Sequence, residues 1–233
     1  MSYRFGKTIV TDGLVFMIDQ ANGLSDDGTS TVKDMIGGLD VTKYSTPTSS
    51  TDGGGSWNFN GVNERLGCET SIWSGEDEFS MGVWAKPTTN SKDGTIFGSL
   101  ETTALAELLL WWDIGDTPNF RVYGVDAFSG VRTTSTSTSC GTLNAWNHVM
   151  IVWSASSGNI KLYLNGVLNQ TVSNSGRGIK TSNNGFGIGN QYSISGPNDR
   201  LLTGNIGPVY AYHKALTQAE VEQNYNAHKN RFS

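Results

Sequence analysis

Hydrophobic and polar residues alternate along this chain with a period of two, and turn-forming residues break the alternation at short, regular intervals. The clearest stretch runs from Trp146 to Thr171. Val149, Ile151 and Trp153 fall on one side of an extended ribbon, and Ile160, Leu162 and Leu164 repeat the pattern after the turn-rich segment Ser154 to Asn159. Asn165-Gly166 then supplies two residues that tolerate positive φ, the requirement of a type I′ hairpin turn. Three consecutive antiparallel strands are predicted, the third beginning at Val167. Leu14 to Ile18, Trp57 to Phe59, Phe79 to Ala85, Thr95 to Gly98, Phe120 to Val125, Phe186 to Gly189 and Ile206 to Tyr212 read as further strands. Asn60-Gly61 is a second hairpin signal, and Pro87 ends the strand begun at Phe79. Ala104 to Trp112 mixes helix-favouring Ala, Leu and Glu with two tryptophans; its place among strands makes it a strand.

The polar stretches between these segments predict loops. One passes through Asp26-Asp27-Gly28. A Ser/Thr/Gly tract from Tyr44 to Ser56, ending in three glycines, reads as a mobile surface loop. Thr133 to Ser139 are all Ser or Thr and fit either an exposed strand or a long loop. The C-terminus alone has a helical signature. Thr217 and Glu220 form a capping box, Leu216 and Val221 a hydrophobic staple, and a helix over about 218–228 places Val221, Tyr225 and His228 on one face.

Composition narrows the class. Charged residues are 16% of the 233, below the roughly 25% of an average domain, and 29 glycines imply many turns. Seven tryptophans and 36% hydrophobic residues still build a large core, so the chain is folded. A net charge of −5 with scattered basic residues excludes sequence-blind nucleic-acid binding, which needs clustered Lys and Arg. No apolar run of about 18 residues exists to span a membrane, and Asp12 and Asp19 interrupt any secretory signal near the start. Cys68 and Cys140 are too few for a disulfide framework, and the sequence leaves their pairing open.

The motifs, in order, are Phe59-Asn60-Gly61-Val62-Asn63, FSMGVWAKP from Phe79, TIFGS from Thr95, WNHVMIVW from Trp146, IKLYLNGVL from Ile160, FGIGN from Phe186 and GNIGPVYAYHKALTQAEV from Gly204. This succession resembles concanavalin A-like domains of the laminin-G-like kind. It implies an all-β fold, a two-sheet antiparallel jelly-roll sandwich with one short C-terminal helix. Residues 1–12 are expected to form an N-terminal arm and 13–230 the domain. The opening IVTDGLVFMIDQAN and the closing AEVEQNYNAHKNRF resemble single-domain members encoded by tailed bacteriophages, which lack a signal peptide and act as virion components.

Catalytic chemistry finds little support. Glycoside hydrolases of this fold set two carboxylates across a cleft, usually on one strand of alternating acids. The single acidic cluster, Glu76-Asp77-Glu78, reads instead as a solvated turn. His148, His213 and His228 share no metal-binding spacing, and His148 reads as an outer-face or hydrogen-bonded core residue. No nucleophile elbow occurs, and Gly187-x-Gly189 is a strand, not a dinucleotide fingerprint.

Sugar recognition asks for an aromatic ring beside planar amides or carboxylates. Trp111, Trp112 and Asp113, or Asn190, Gln191 and Tyr192, combine these groups, although alternation turns one of the two tryptophans inward. Trp57, Trp84, Trp146 and Trp153 are assigned to packing. Many relatives hold Ca²⁺ at the sandwich rim, but the position after Ile206, often Asp in the family motif, is Gly207 here, followed by Pro208. Asp26, Asp27, Asn198 and Asp199 remain loop candidates for calcium; no other cofactor is expected.

The resemblance therefore implies a non-enzymatic virion display protein, a capsid decoration, head fibre or tail-associated adhesin, made in the host cytoplasm. Its rim loops would contact a surface glycan or other virion proteins, in a homo-oligomer or multi-copy array. The arm residues Tyr3 and Phe5 are expected to pack on another subunit. The rival expectation is a soluble carbohydrate-binding lectin or a glycoside hydrolase of the same fold.

Overall fold

The computed structural model describes residues 8–73, 75–102, 105–115, 119–128, 130–134, 140–180, 185–190 and 200–233. In chain order the strands are β1 Leu14–Ile18, β2 Thr31–Lys33, β3 Asp40–Tyr44, β4 Thr48–Ser50, β5 Ser56–Asn60, β6 Arg65–Cys68, β7 Glu78–Pro87 and β8 Gly94–Thr102. They continue as β9 Leu105–Asp113, β10 Asn119–Val125, β11 Val131–Thr134, β12 Asn147–Ser154, β13 Asn159–Leu164, β14 Val167–Ser173, β15 Phe186–Ile188 and β16 Thr203–Tyr212, before the helix α1 Gln218–His228. One sheet has the order β14-β13-β12-β7-β16-β5-β4, with β1 also paired to β16; the other has the order β11-β10-β9-β8-β15-β6-β3-β2. Every ladder between these strands is antiparallel.

The period of two explains the interior. Phe79, Met81, Val83 and Ala85 of β7 and Val149, Ile151 and Trp153 of β12 point inward from the first sheet. They meet Leu108, Leu110 and Trp112 of β9 and Phe120 and Val122 of β10 from the second. Each of these side chains larger than Ala85 contributes roughly 1.5–3 kcal/mol by leaving water. All eight residues of β12 are buried, because its second face is covered as well. Met150 and Val152 turn outward to Tyr163, Tyr210, Tyr212, Leu216 and Val221 beneath α1. The helix is anchored by the expected capping box at Thr217 and Glu220.

The hairpin at Asn165-Gly166 forms as predicted, with φ of 51° and 82°. Asn60-Gly61 behaves differently. β5 pairs with β4 and β16 in the first sheet, whereas β6 pairs with β15 and β3 in the second, so this turn carries the chain between sheets. Asn60 Oδ1 accepts from the Val62 and Asn63 amides at 2.8 and 3.2 Å and Gly61 has φ 70°, which makes a tight reversal regardless of where the next strand pairs.

The tract 44–56 also departs from expectation. It is β4 and a 3-10 turn over Asp52–Gly54, ordered by partners from elsewhere in the chain. β5 supplies the ladder, and Asp52 accepts from Lys86 Nζ at 2.8 Å and Trp146 Nε1 at 3.0 Å. At the N-terminal side, Val10 is buried against this chain's own helix. Its N–H donates to Asn224 Oδ1 at 2.8 Å and its carbonyl accepts from the Tyr212 hydroxyl at 3.1 Å. The described end of the arm thus packs within the chain; Tyr3 and Phe5 lie outside the described residues. Cys68 and Cys140 are separate, buried free thiols, and burial pushes the Cys140 thiol up to about 11.

Candidate functional site

The sheet order brings several of the expected ligand-binding residues to one rim. Thr95 on β8 faces Trp111 on β9, while β15 pairs along the other side of β8, so Asn190 and Trp111 flank the start of that strand. Among the described residues no open aromatic face results there. Trp112 lies in the core, 2% exposed, with its Nε1 donating to Asn90 Oδ1 at 3.2 Å. Trp111 turns the other way and is 8% exposed beside Leu109 and Tyr123. Asp113 is ion-paired with Arg121 at 2.7 Å and accepts from the Gly115 amide at 2.8 Å. Asn190 is fully buried. Gln191 and Tyr192 lie outside the described residues, as do Asn198 and Asp199.

Asp26 serves the fold. Its carboxylate lies 2.6 Å from Lys43 Nζ, accepts from Trp57 Nε1 at 2.7 Å and caps the Gly28 amide at 3.0 Å. The pair is enclosed, the Asp26 and Lys43 side chains being 1% and 6% exposed. A divalent ion at Asp26 would have to displace that ammonium. Asp27, exposed, accepts from Thr29, whose hydrogen bonds hold its carboxyl below the usual range. Among the described residues no three His, Cys, Asp or Glu side chains are grouped to hold a metal.

The acidic cluster does not converge. Glu76 lies 3.4 Å from His213, while Glu78 accepts from the Ser154 hydroxyl and the Ser156 amide. His148 is a buried structural residue, its Nε2 2.5 Å from the Tyr210 hydroxyl and its ring tilted against Trp84. Burial, aided by His228, holds its imidazole down to about 3, so it stays neutral.

A cleft that sequence reasoning missed opens beside β4. Its volume is about 480 Å³, and its walls are Gln20, Ala21, Ser49, Ser50, Thr51, Gly54 and Gly55. Every lining side chain is uncharged: the Gln20 amide, the hydroxyls of Ser49, Ser50 and Thr51, and the Ala21 and Thr51 methyls, beside glycine backbone. Both walls are fixed by Arg231, which follows the helix. Its guanidinium makes a two-bond ion pair with Asp19 beside one wall and donates to the Gly53 and Gly55 carbonyls of the other, each at 2.6 Å. Asp19 Oδ1 also accepts from the Ala21 amide at 3.1 Å. Glycine is needed there: a side chain at Gly55 would stand 2.7 Å from the Ala21 methyl and 2.8 Å from Gln20 Oε1. The signal for this cleft was the polar tract itself, which hydropathy treats as featureless. A second feature missed is Phe128, 74% exposed, with the Arg177 guanidinium 4.7 Å from its ring centroid.

Comparison with known proteins places the fold. The binding domain of Paraclostridial Mosquitocidal Protein 1 superposes with a TM-score of 0.72 at 17% identity, over 94% of this chain and 53% of that one. Domain 4 of AbnA, a GH43 extracellular arabinanase from Geobacillus stearothermophilus solved with arabinotriose, superposes at 0.69 and 19% identity, over 91% of this chain and 98% of that one. The botulinum neurotoxin serotype D ligand binding domain, in complex with N-acetylneuraminic acid, gives 0.67 and 18% over 92% and 50%. The chain spans about half the length of the toxin binding domains it resembles. No curated protein sequence matches it, and among the described residues no helix is long and apolar enough to cross a membrane. Residues 44–222, most of the chain, match the concanavalin A-like lectin/glucanases superfamily, and the chain belongs to that superfamily.

Proposed function

We propose that this protein is a non-catalytic binding module that takes a neutral glycan in the cleft between Gln20-Ala21 and Ser49–Gly55. The observation that carries this reading is the lining. An amide and three hydroxyls, with no charge among them, offer donors and acceptors to sugar hydroxyls and no counterion to a phosphate or carboxylate. The volume falls in the roughly 300–1,000 Å³ range of small-ligand sites. Arg231 tethers both walls, so little ordering remains for a ligand to impose. A whole-length structural match to a domain crystallised with arabinotriose supports a saccharide as the ligand class. Glu76 and Glu78 turn to separate partners, His213 and the Ser154–Ser156 turn, which supports binding without hydrolysis.

The resemblance of the two chain ends to tailed-phage proteins supports display on a virion, as a capsid decoration, head fibre or tail-associated adhesin among other virion proteins. A free-standing lectin would use the same cleft. A neutral-glycan array followed by titration calorimetry tests the shared claim. Binding should be lost at least about tenfold in Gln20→Ala and Ser49→Trp, one removing the amide and the other filling the space, with melting unchanged and no sugar released. Binding that survives both variants places the ligand elsewhere, and an array with no neutral glycan bound refutes the function itself.

A further inference from the structure

The segment that begins with α1 covers the outer side of the first sheet, and its last side chains hold the cleft. Asn224 Oδ1 accepts from the Val10 amide, and its Nδ2 donates to the Tyr212 hydroxyl at 3.0 Å. Tyr225 and Phe232 stack on Trp84, with ring centroids 5.7 and 4.4 Å away. Just before Phe232, Arg231 reaches to Asp19 and to the Gly53 and Gly55 carbonyls. Lifting residues 221–232 would therefore release both walls of the cleft.

Two histidines lie in this layer with no place for a second proton. His148 Nε2 bonds the Tyr210 hydroxyl, while the buried Nδ1 of His148 and that of His228, whose ring is 6.3 Å from Tyr210, have no hydrogen-bond partner. A neutral imidazole with its hydrogen on Nε2 leaves Nδ1 a bare acceptor; an imidazolium would bury an N–H and a charge with nothing to receive them. His148 is faced by Tyr210 on β16, Trp84 on β7, and Tyr225 and His228 on α1. Tyr163 and Tyr212, phenols of the same layer, are held neutral by burial. His228 is faced by Tyr210, Asp19 and Arg231, and the Asp19 carboxylate already holds Arg231. Burial lowers both imidazoles, His148 to about 3. Docking is thus fully favoured above pH 6.5, the ordinary imidazole value, and loses ground as pH falls.

We propose that residues 221–232 are an acid-released strap, whose docking holds the cleft in shape for its ligand at neutral pH and gives way as His148 and His228 take up protons. The ligand half of this rests on the cleft being the glycan site; the strap itself does not. A protonated ring is accommodated only once the helix lifts it into water, and the same movement carries Arg231 away from Asp19, Gly53 and Gly55.

Amide hydrogen exchange on the full chain, corrected for the intrinsic rate, tests the strap at about pH 7 and about pH 5. The amides of Tyr225 to His228 should exchange as one group with those of Gly54 and Gly55, which donate to the Thr51 and Asp52 carbonyls at 3.0 and 3.3 Å. Both sets should be faster than Ile151 in β12, insensitive to low urea, and about twentyfold less protected at the lower pH from His148 alone. His148→Gln should remove about that factor and His228→Gln a further share; either variant that keeps its fold at pH 7 by circular dichroism serves. Helix amides that ignore pH overturn the proposal, as do cleft amides that stay protected while the helix opens, or a response that survives in the variants. Arabinotriose, where it binds at pH 7, should slow both sets, because it holds the strap down; bound sugar that leaves Tyr225 to His228 unchanged breaks the coupling. Absence of any bound neutral glycan would remove the function proposed above and leave the pH response standing, whereas binding with a pH-indifferent helix would do the reverse.

Discussion

Arg231 and Asp19 form a two-bond ion pair, Nη1 to Oδ2 at 2.6 Å and Nη2 to Oδ1 at 2.8 Å, across 212 residues of chain. The side chains are only 19% and 10% exposed. Removing the guanidinium leaves a nearly buried carboxylate without its counterion and frees the Gly53 and Gly55 carbonyls. Arg231→Ala should cost about 3 kcal/mol in urea unfolding and abolish glycan binding, while Arg231→Lys restores charge but not the fork and recovers only part of either. Full stability in Arg231→Ala would show that the pair does not tether the cleft.

Gly53 has φ 63°, and a Cβ there would overlap the Phe232 ring, which stacks on Trp84 at 4.4 Å. Gly54, at φ 69°, faces only the flexible Arg231 stem, 3.1 Å away. Gly53→Ala should therefore destabilise by about 2 kcal/mol or more and Gly54→Ala by about 1. Thermal melting of the two variants measures the difference. Equal losses would mean that backbone strain alone sets both.

Acid should loosen the layer beneath the helix. His148 is enclosed by Tyr210 on β16, Trp84 on β7, and Tyr225 and His228 on α1, with the Asp19–Arg231 pair acting on His228. Burial depresses both imidazoles. The folded His148 titrates near 3 and the unfolded one near 6.5, so the unfolded state binds more protons between those values. Its contribution is complete above pH 6.5 and falls as pH drops toward 3. Urea unfolding at about pH 5 should show roughly 2 kcal/mol less stability than at about pH 7. His148→Leu should flatten that slope, and a slope unchanged in the variant would assign it to other groups.

Asp26 and Lys43 make a prediction about metals as well as stability. Asp26→Ala strands the Lys43 ammonium in the interior and should cost about 3 kcal/mol or more. Because the native carboxylate is already held by Lys43, Trp57 and Gly28, adding calcium or a chelator should leave the melting temperature unchanged. A calcium-dependent rise that vanishes in Asp26→Ala would reverse this assignment.

Much of the fold was legible because burial here obeys a simple period. Val149, Ile151 and Trp153 alternate, and so they had to face one interior; Thr217, Glu220 and their flanking apolar pair wrote the helix start. The destination of a turn was not legible, since Asn60-Gly61 specifies positive φ but not the sheet in which the next strand pairs. Nor was the order of the tract 44–56. Its partners, Arg231, Lys86 and Trp146, are distant in sequence, and no local pattern announces a contact across 178 residues such as Arg231 Nε to Gly53 O. The same blindness hid the cleft. The candidate tryptophans were recognisable as chemistry, but their exposure depended on which layers cover β9.

Amide chemical-shift mapping with a neutral oligosaccharide such as arabinotriose tests the central claim most directly. Saturable shifts are predicted at Gln20 and Ala21 and from Ser49 to Gly55, absent from Gln20→Ala. Shifts centred instead on Trp111 to Asp113 and Asn190, or around Phe128, would contradict it.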